Sequence, residues 1–200
     1  MADVNVLVLV GSLRKASVNR QLAELAVESA PEGVVLRVFD GLGEVPFYNE
    51  DIDNEDIDNE DIDGEDIDGE DIDGESVPEP ARALRAAAEA ADAALVVTPE
   101  YNGSIPGVLK NAIDWLSRPW GQSALKDKPL AVVGAALGRY GGKWAHDETR
   151  KSFGVAGPRV IDDLELSVPA ALLDGRHPRE NAEVAGALRA VIEKLAAAVG

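Results

Sequence analysis

The sequence predicts an α/β domain of three layers, a parallel sheet with helices on both faces. Short β-branched apolar runs recur along the chain, and stretches with helical spacing fill the gaps between them. Two of the runs are apolar at nearly every position, which places them in a sheet covered on both sides. The runs are 4–10 (VNVLVLV), 34–39 (VVLRVF), 94–98 (ALVVT), 130–136 (LAVVGAA) and, less regular, 159–168; the first and fourth are the near-continuous ones. Helical spacing puts Leu22, Leu25, Ala26 and Ser29 on one face of 18–30. In 106–117, Val108, Leu109, Ala112, Ile113 and Leu116 share a face, and Pro106 suits a first helical turn. The longest stripe, in 179–199, runs through Val184, Leu188, Val191, Ile192, Leu195 and Val199, while Ala-rich 80–92 is helical on propensity.

Two hundred residues suit a single domain spanning 1–200. The absence of cysteine excludes disulfides, thiolate metal sites and a thiol nucleophile, and the single methionine, Met1, rules out thioether ligation. With two histidines, no metal site is expected. A formal charge of −18 argues against nucleic acid and anionic membranes as partners. That charge is local: 49–75 holds 16 acidic residues and no basic one, and the rest of the chain comes to −2. No run approaches the roughly 18 apolar residues of a membrane span. The N-terminal apolar run lacks a basic lead and a small-residue cleavage site, so a strand and a cytoplasmic location are expected.

The acidic segment is a tandem repeat, Asn-Glu-Asp-Ile-Asp at 49–53, 54–58 and 59–63, then Gly-Glu-Asp-Ile-Asp at 64–68 and 69–73. Its isoleucines recur every five residues, about 500° around a helix, so they make no stripe; on a strand an odd period alternates faces. With so many like charges and no shared apolar face, 49–75 is expected to be a disordered, solvated insertion. A calcium loop needs glycine at its sixth position, where this chain has Asp56. A five-copy solenoid has too few coils to bury a core.

In open parallel sheets ligands sit beyond the carboxyl ends of the strands, where strand order reverses. After the first strand, Gly11 permits a turn, Ser12, Ser17 and Asn19 offer short donors, and the following helix presents free amides that attract an anion. Arg14 adds a charged fork. The alternative is a capped helix with a solvated basic turn; three donors and two arginines within nine residues favour phosphate. The turn has neither dinucleotide nor Walker glycine spacing. After the third strand, Pro99-Glu100-Tyr101-Asn102-Gly103-Ser104-Ile105-Pro106-Gly107 is a shaped loop with exposed amides, suited to the edge of a flat heterocycle. After the fourth, 136–142 carries Gly138, Gly141 and Gly142, and a helix bearing His146 follows. In a 2-1-3-4-5 strand order these three loops are neighbours.

These motifs resemble the NADPH-dependent FMN reductase family: GSLRKASVNR (11–20), PFYNEDID (46–53), TPEYNGSIPGVLKNAIDWLSRP (98–119) and the glycine loop 138–142. The resemblance spans nearly the whole chain and implies a flavodoxin-like sandwich with a five-stranded parallel sheet of order 2-1-3-4-5. It implies bound FMN, NADPH or NADH as hydride donor, ping-pong reduction of a quinone or similar small acceptor, and a homo-oligomer, dimer or tetramer. By it, Ser12, Arg14, Ser17 and Asn19 hold the flavin phosphate, Pro99, Glu100, Tyr101, Asn102 and Gly103 line the ring, and Gly138 to Gly141 complete the pocket. No side chain is expected to act as acid or base. The family motif matches one repeat copy, so four copies are extra. A flavodoxin-type carrier and a module that recruits a partner through the acidic loop are the other readings; the first disagrees with the composition of 11–20.

Overall fold

Side chains alternate across a strand, and β1 (Val4–Val10) uses both faces: Val6, Val8 and Val10 join one buried cluster, Leu7 and Leu9 the other. A strand of this kind needs cover on two sides, and the computed structural model, which describes residues 3–53 and 77–199, shows that cover. β1, β2 (Val34–Phe39), β3 (Ala93–Val97), β4 (Pro129–Ala136) and β5 (Arg159–Pro169) form a parallel sheet in the order β2-β1-β3-β4-β5. α1 (Val18–Glu28) and α5 (Ala182–Ala197) bury Leu22, Leu25, Leu188 and Ile192 on one face. α2 (Glu79–Glu89), α3 (Gly107–Leu116) and α4 (Lys143–Ala156) bury Leu84, Leu109, Trp115 and Phe153 on the other. The expected three-layer architecture and strand order are what the chain adopts.

The element ends differ from the sequence reading where a cap intervenes. The C-terminal helix starts at Ala182 rather than 179 because Asn181 accepts from the amides of Glu183 and Val184, restarting the helix after a short 3₁₀ turn at Pro178–Glu180. Pro106 stands just outside α3, at its N-cap position. His177, at the head of that 3₁₀ turn, accepts from the Arg179 amide and closes a capping box with Glu180.

The first repeat copy corrects the expectation of disorder across 49–75. Residues 50–52 form a 3₁₀ turn capped by Asn49, and Ile52 packs against the α2–α3 side of the core. Asp53 is buried in a two-pronged pair with Arg85 of α2, both N–O distances 2.8 Å, while Arg85 Nε donates to the Trp115 carbonyl at 3.2 Å. A planar guanidinium already fixed on a helix converts an acidic residue into an anchor. The copies from 54 onward lie outside the described residues.

Candidate active site

Three loops leave the sheet at its carboxyl edge, from β1, β3 and β4, and they meet. A cavity of about 260 Å³ is lined by Ser12, Arg14, Ser17 and Asn19 from the first, Pro99, Glu100 and Tyr101 from the second, and Ala136, Leu137 and Gly138 from the third. Ala170, just past β5, closes the far wall. Ala135, Ala136, Leu137 and Ala170 make the β4–β5 side of the lining apolar, whereas the hydroxyls and Arg14 come from the turn between β1 and α1.

The β1–α1 turn is held from within. Ser17 caps α1, its Oγ accepting from the Asn19 amide at 3.2 Å, and its own amide donates to the Arg14 carbonyl at 3.1 Å. Ser12 Oγ accepts from the Arg14 amide at 3.4 Å. The Arg14 side chain is exposed and, among the described residues, has no ion-pair partner. A free guanidinium beside two hydroxyls and a helix N-terminus suits a phosphate. Gly11 serves by close approach: a Cβ there would lie 2.4 Å from Thr98 Oγ1.

Two predicted assignments change character. Asn19 lines the cavity but is 3% exposed, and its amide group spans the Ala135 peptide, accepting from the nitrogen at 2.8 Å and donating to the oxygen at 2.9 Å. Its side chain is committed to β4. Gly141 is left-handed (φ +64°) and packed on β5, where a Cβ would come within 2.6 Å of the Ser167 backbone; it shapes the loop without reaching the cavity.

The β3–α3 loop folds as a two-residue hairpin turn. Asn102 and Gly103 both have positive φ, 53° and 77°, and Tyr101 and Ser104 exchange backbone hydrogen bonds of 3.1 and 3.0 Å. Asn-Gly is the pair such a turn favours, a signal present in the sequence. The Tyr101 amide is therefore spent within the turn and is not one of the exposed amides expected of the 99–107 loop. Asn102 and Gly103 sit at the tip, off the cavity lining.

Helix α4 grips this loop from outside. The Ala145 amide donates to Glu100 Oε2 at 3.3 Å, Ser104 Oγ to Glu148 Oε2 at 2.6 Å, and Trp144 lies against Gly103. His146, fully buried, reaches the Thr98 carbonyl with Nε2 at 2.9 Å and Ser167 Oγ with Nδ1 at 2.7 Å. Burial holds its pKa below the ordinary histidine value.

A larger cavity of about 350 Å³ shares Ser12 and Arg14 with the first and is otherwise lined by Leu13, Lys15, Arg20, Phe39, Asp40 and Leu42 among others. There Arg20 is already paired with Asp40 and with Glu24. Only the smaller cavity receives all three loops at the reversal of strand order.

Residues 4–172 match the family model of the NADPH-dependent FMN reductases. The chain belongs to that family. As a member it is an oxidoreductase, with FMN as its cofactor and NAD(P)H as its electron donor. It is 43% identical over 172 residues to a quinone reductase of Pseudomonas putida, covering 86% of this chain and 78% of that protein. A 2-hydroxy-1,4-benzoquinone reductase of a Burkholderia species is 40% identical over 147 residues, 74% of this chain and 68% of that one. Among solved structures, FerB, the NAD(P)H:(acceptor) oxidoreductase flavoenzyme of Paracoccus denitrificans, superposes with a TM-score of 0.72 at 30% identity, covering 96% of each chain. No helix among the described residues is long and apolar enough to cross a membrane.

Proposed function

We propose that this protein reduces quinones by two electrons at the expense of NAD(P)H, with FMN seated in the cavity shared by the loops after β1, β3 and β4. The convergence of an anion-attracting turn and an apolar wall on that one cavity carries the reading. The donors fit the cofactor: Arg14 is exposed and unpaired among the described residues, Ser17 caps α1, and Ser12 stands at the start of the turn. Leu137 is 93% exposed and Tyr101 46%, leaving apolar surface for a planar ring to cover.

The chemistry supplied by bound FMN is two-electron transfer, hydride in from NAD(P)H and out to the acceptor. The chain's own residues bind and orient. Ser12, Ser17 and Arg14 hold the phosphate, and Pro99, Tyr101, Ala136 and Leu137 wall the ring and exclude water from its edge. Glu100 is tied to the first turn of α4, so no cavity side chain is given a proton-transfer task. The quinone-reducing relatives support the acceptor class.

Two further parts belong to the same reading. Trp120 (67% exposed) and Val155 flank an apolar groove between α3 and α4 that a second copy of the chain would cover, giving a homo-oligomer. The body from 3 to 199 is a single domain into which the repeat copies after Asp53 are inserted, and its use of NAD(P)H supports a cytoplasmic location.

Anaerobic stopped-flow on FMN-loaded protein tests the activity. NADPH should bleach the flavin band, and a benzoquinone should restore it with parallel-line steady-state kinetics. Bleaching without restoration by any quinone would remove the acceptor class; no bleaching by NADPH or NADH would leave an electron carrier.

A further inference from the structure

The β3–β4 ladder stops one rung early, and two side chains fill the gap. In a parallel pair with Val97 opposite Val133, the next rung has the Thr98 amide donating to the Val133 carbonyl and the Ala135 amide donating to the Thr98 carbonyl. The first of these bonds is present at 3.0 Å. The second is absent, because the Ala135 amide goes to Asn19 Oδ1 at 2.8 Å. The Thr98 carbonyl, buried and deprived of its strand partner, is met instead by His146 Nε2 at 2.9 Å. Asn19 from α1 and His146 from α4 thus take over the two halves of one missing bond, from opposite layers of the molecule.

The partners assign the histidine's protonation. A carbonyl only accepts, so Nε2 carries hydrogen, and Nδ1 accepts from the Ser167 hydroxyl at 2.7 Å. The cluster tolerates no addition: a Cβ on Gly134 would lie 2.0 Å from the Thr98 oxygen, 2.7 Å from His146 Nε2 and 2.9 Å from Asn19 Oδ1. Thr98 is the residue before Pro99, which begins the cavity wall and has no amide of its own to pin it.

We propose that His146 is a positioning residue for the flavin: by holding the Thr98 carbonyl in place of the lost rung, it sets where Pro99, Glu100 and Tyr101 stand in the cavity. The inference rests on the cavity being the FMN site. It assigns to His146 no contact with the cofactor, only control of the wall that has it.

His146→Leu keeps the bulk and removes both polar ends, whereas His146→Gln restores a donor and an acceptor. FMN dissociation constants of the apoproteins, read by flavin fluorescence, should rise about tenfold for the leucine variant, in keeping with a buried acceptor left without a partner. They should return to within about threefold of wild type for glutamine, and the visible band of bound flavin should shift only in the leucine variant. Equal affinity and unchanged spectra in all three proteins would overturn the proposal, as would loosening that glutamine does not rescue. Should the leucine variant not fold, His146→Asn supplies the test, since its shorter amide stays polar but does not reach the Thr98 carbonyl; there too an unaltered FMN affinity would overturn it. Nitrogen NMR of His146 in the apoprotein is independent of the cofactor: a neutral ring protonated at Nε2 is expected, and a neutral ring protonated at Nδ1 instead would contradict the role. A wild-type protein with that ring state but no affinity for FMN would sink the functional reading and leave the ladder device standing.

Discussion

Two loops face each other across the cavity, and they are held in opposite ways. The turn at 12–17 is secured by its own neighbours, through Ser12, Arg14 and Ser17 contacts that span two or three residues, while Gly11 and Asn19 at its ends tie it to β3 and β4. The loop at 98–104 makes one local hairpin and otherwise hangs on α4, through partners 44 to 48 residues away. A phosphate site built from local contacts persists wherever a strand meets a helix in this way. A ring wall held by a distant helix can be reshaped by substitutions that touch neither cofactor nor loop. The division suits an enzyme that keeps one cofactor and varies its acceptors.

The largest way to break the comparison is Gly134→Ala. Its new Cβ would sit 2.0 Å from a backbone oxygen that cannot turn aside, so β4 and the start of the 98–104 loop must separate. A loss of about 3 kcal/mol is expected, about 6–12 °C in melting temperature for a chain of this length, with weakened FMN binding. Calorimetry checks it; an unchanged melting temperature would mean that the two loops are less tightly joined than their geometry indicates.

Arg14→Ala sharpens the comparison from the other side. The side chain is exposed and unpaired among the described residues, so the fold should be untouched, while FMN affinity falls about tenfold, roughly 1.4 kcal/mol, for the loss of one charged contact to phosphate. Riboflavin, which lacks the phosphate, should bind the variant and the wild type alike. Discrimination by riboflavin as well would move Arg14 to the ring end.

The smallest effect is expected from deleting 54–73. The docked copy, with Asp53 on Arg85, and the chain from 77 onward stay intact, and shortening a long connection changes closure entropy little. Stability within about 0.5 kcal/mol of wild type and unaltered FMN affinity are expected. A large fall in either would give the extra copies a part in the fold.

Much of this was legible in the residues, and the boundary follows contact range. Strand periodicity and the three-layer class rest on neighbours in sequence and read directly, whereas the strand order comes through the family resemblance. Asn102-Gly103 carries the hairpin signal, yet its consequence, a Tyr101 amide no longer free, needs the backbone pairing of 101 with 104. Asn19 looks like any polar residue at a helix start; only its partner at Ala135, 116 residues away, makes it a strand substitute. Asp53 is one acidic residue among 16 in the segment, and what makes it an anchor is a buried arginine 32 residues on. Ala170 lines the cavity with no signal in its side chain at all.

The seat of the cofactor is decided most directly by a crystal structure of the protein with FMN bound. The phosphate is expected within hydrogen-bonding distance of Ser12, Ser17 and Arg14, with the ring against Pro99, Tyr101 and Leu137. A phosphate on the far side of the turn, beside Lys15 and Arg20, with the ring over Phe39, would contradict it.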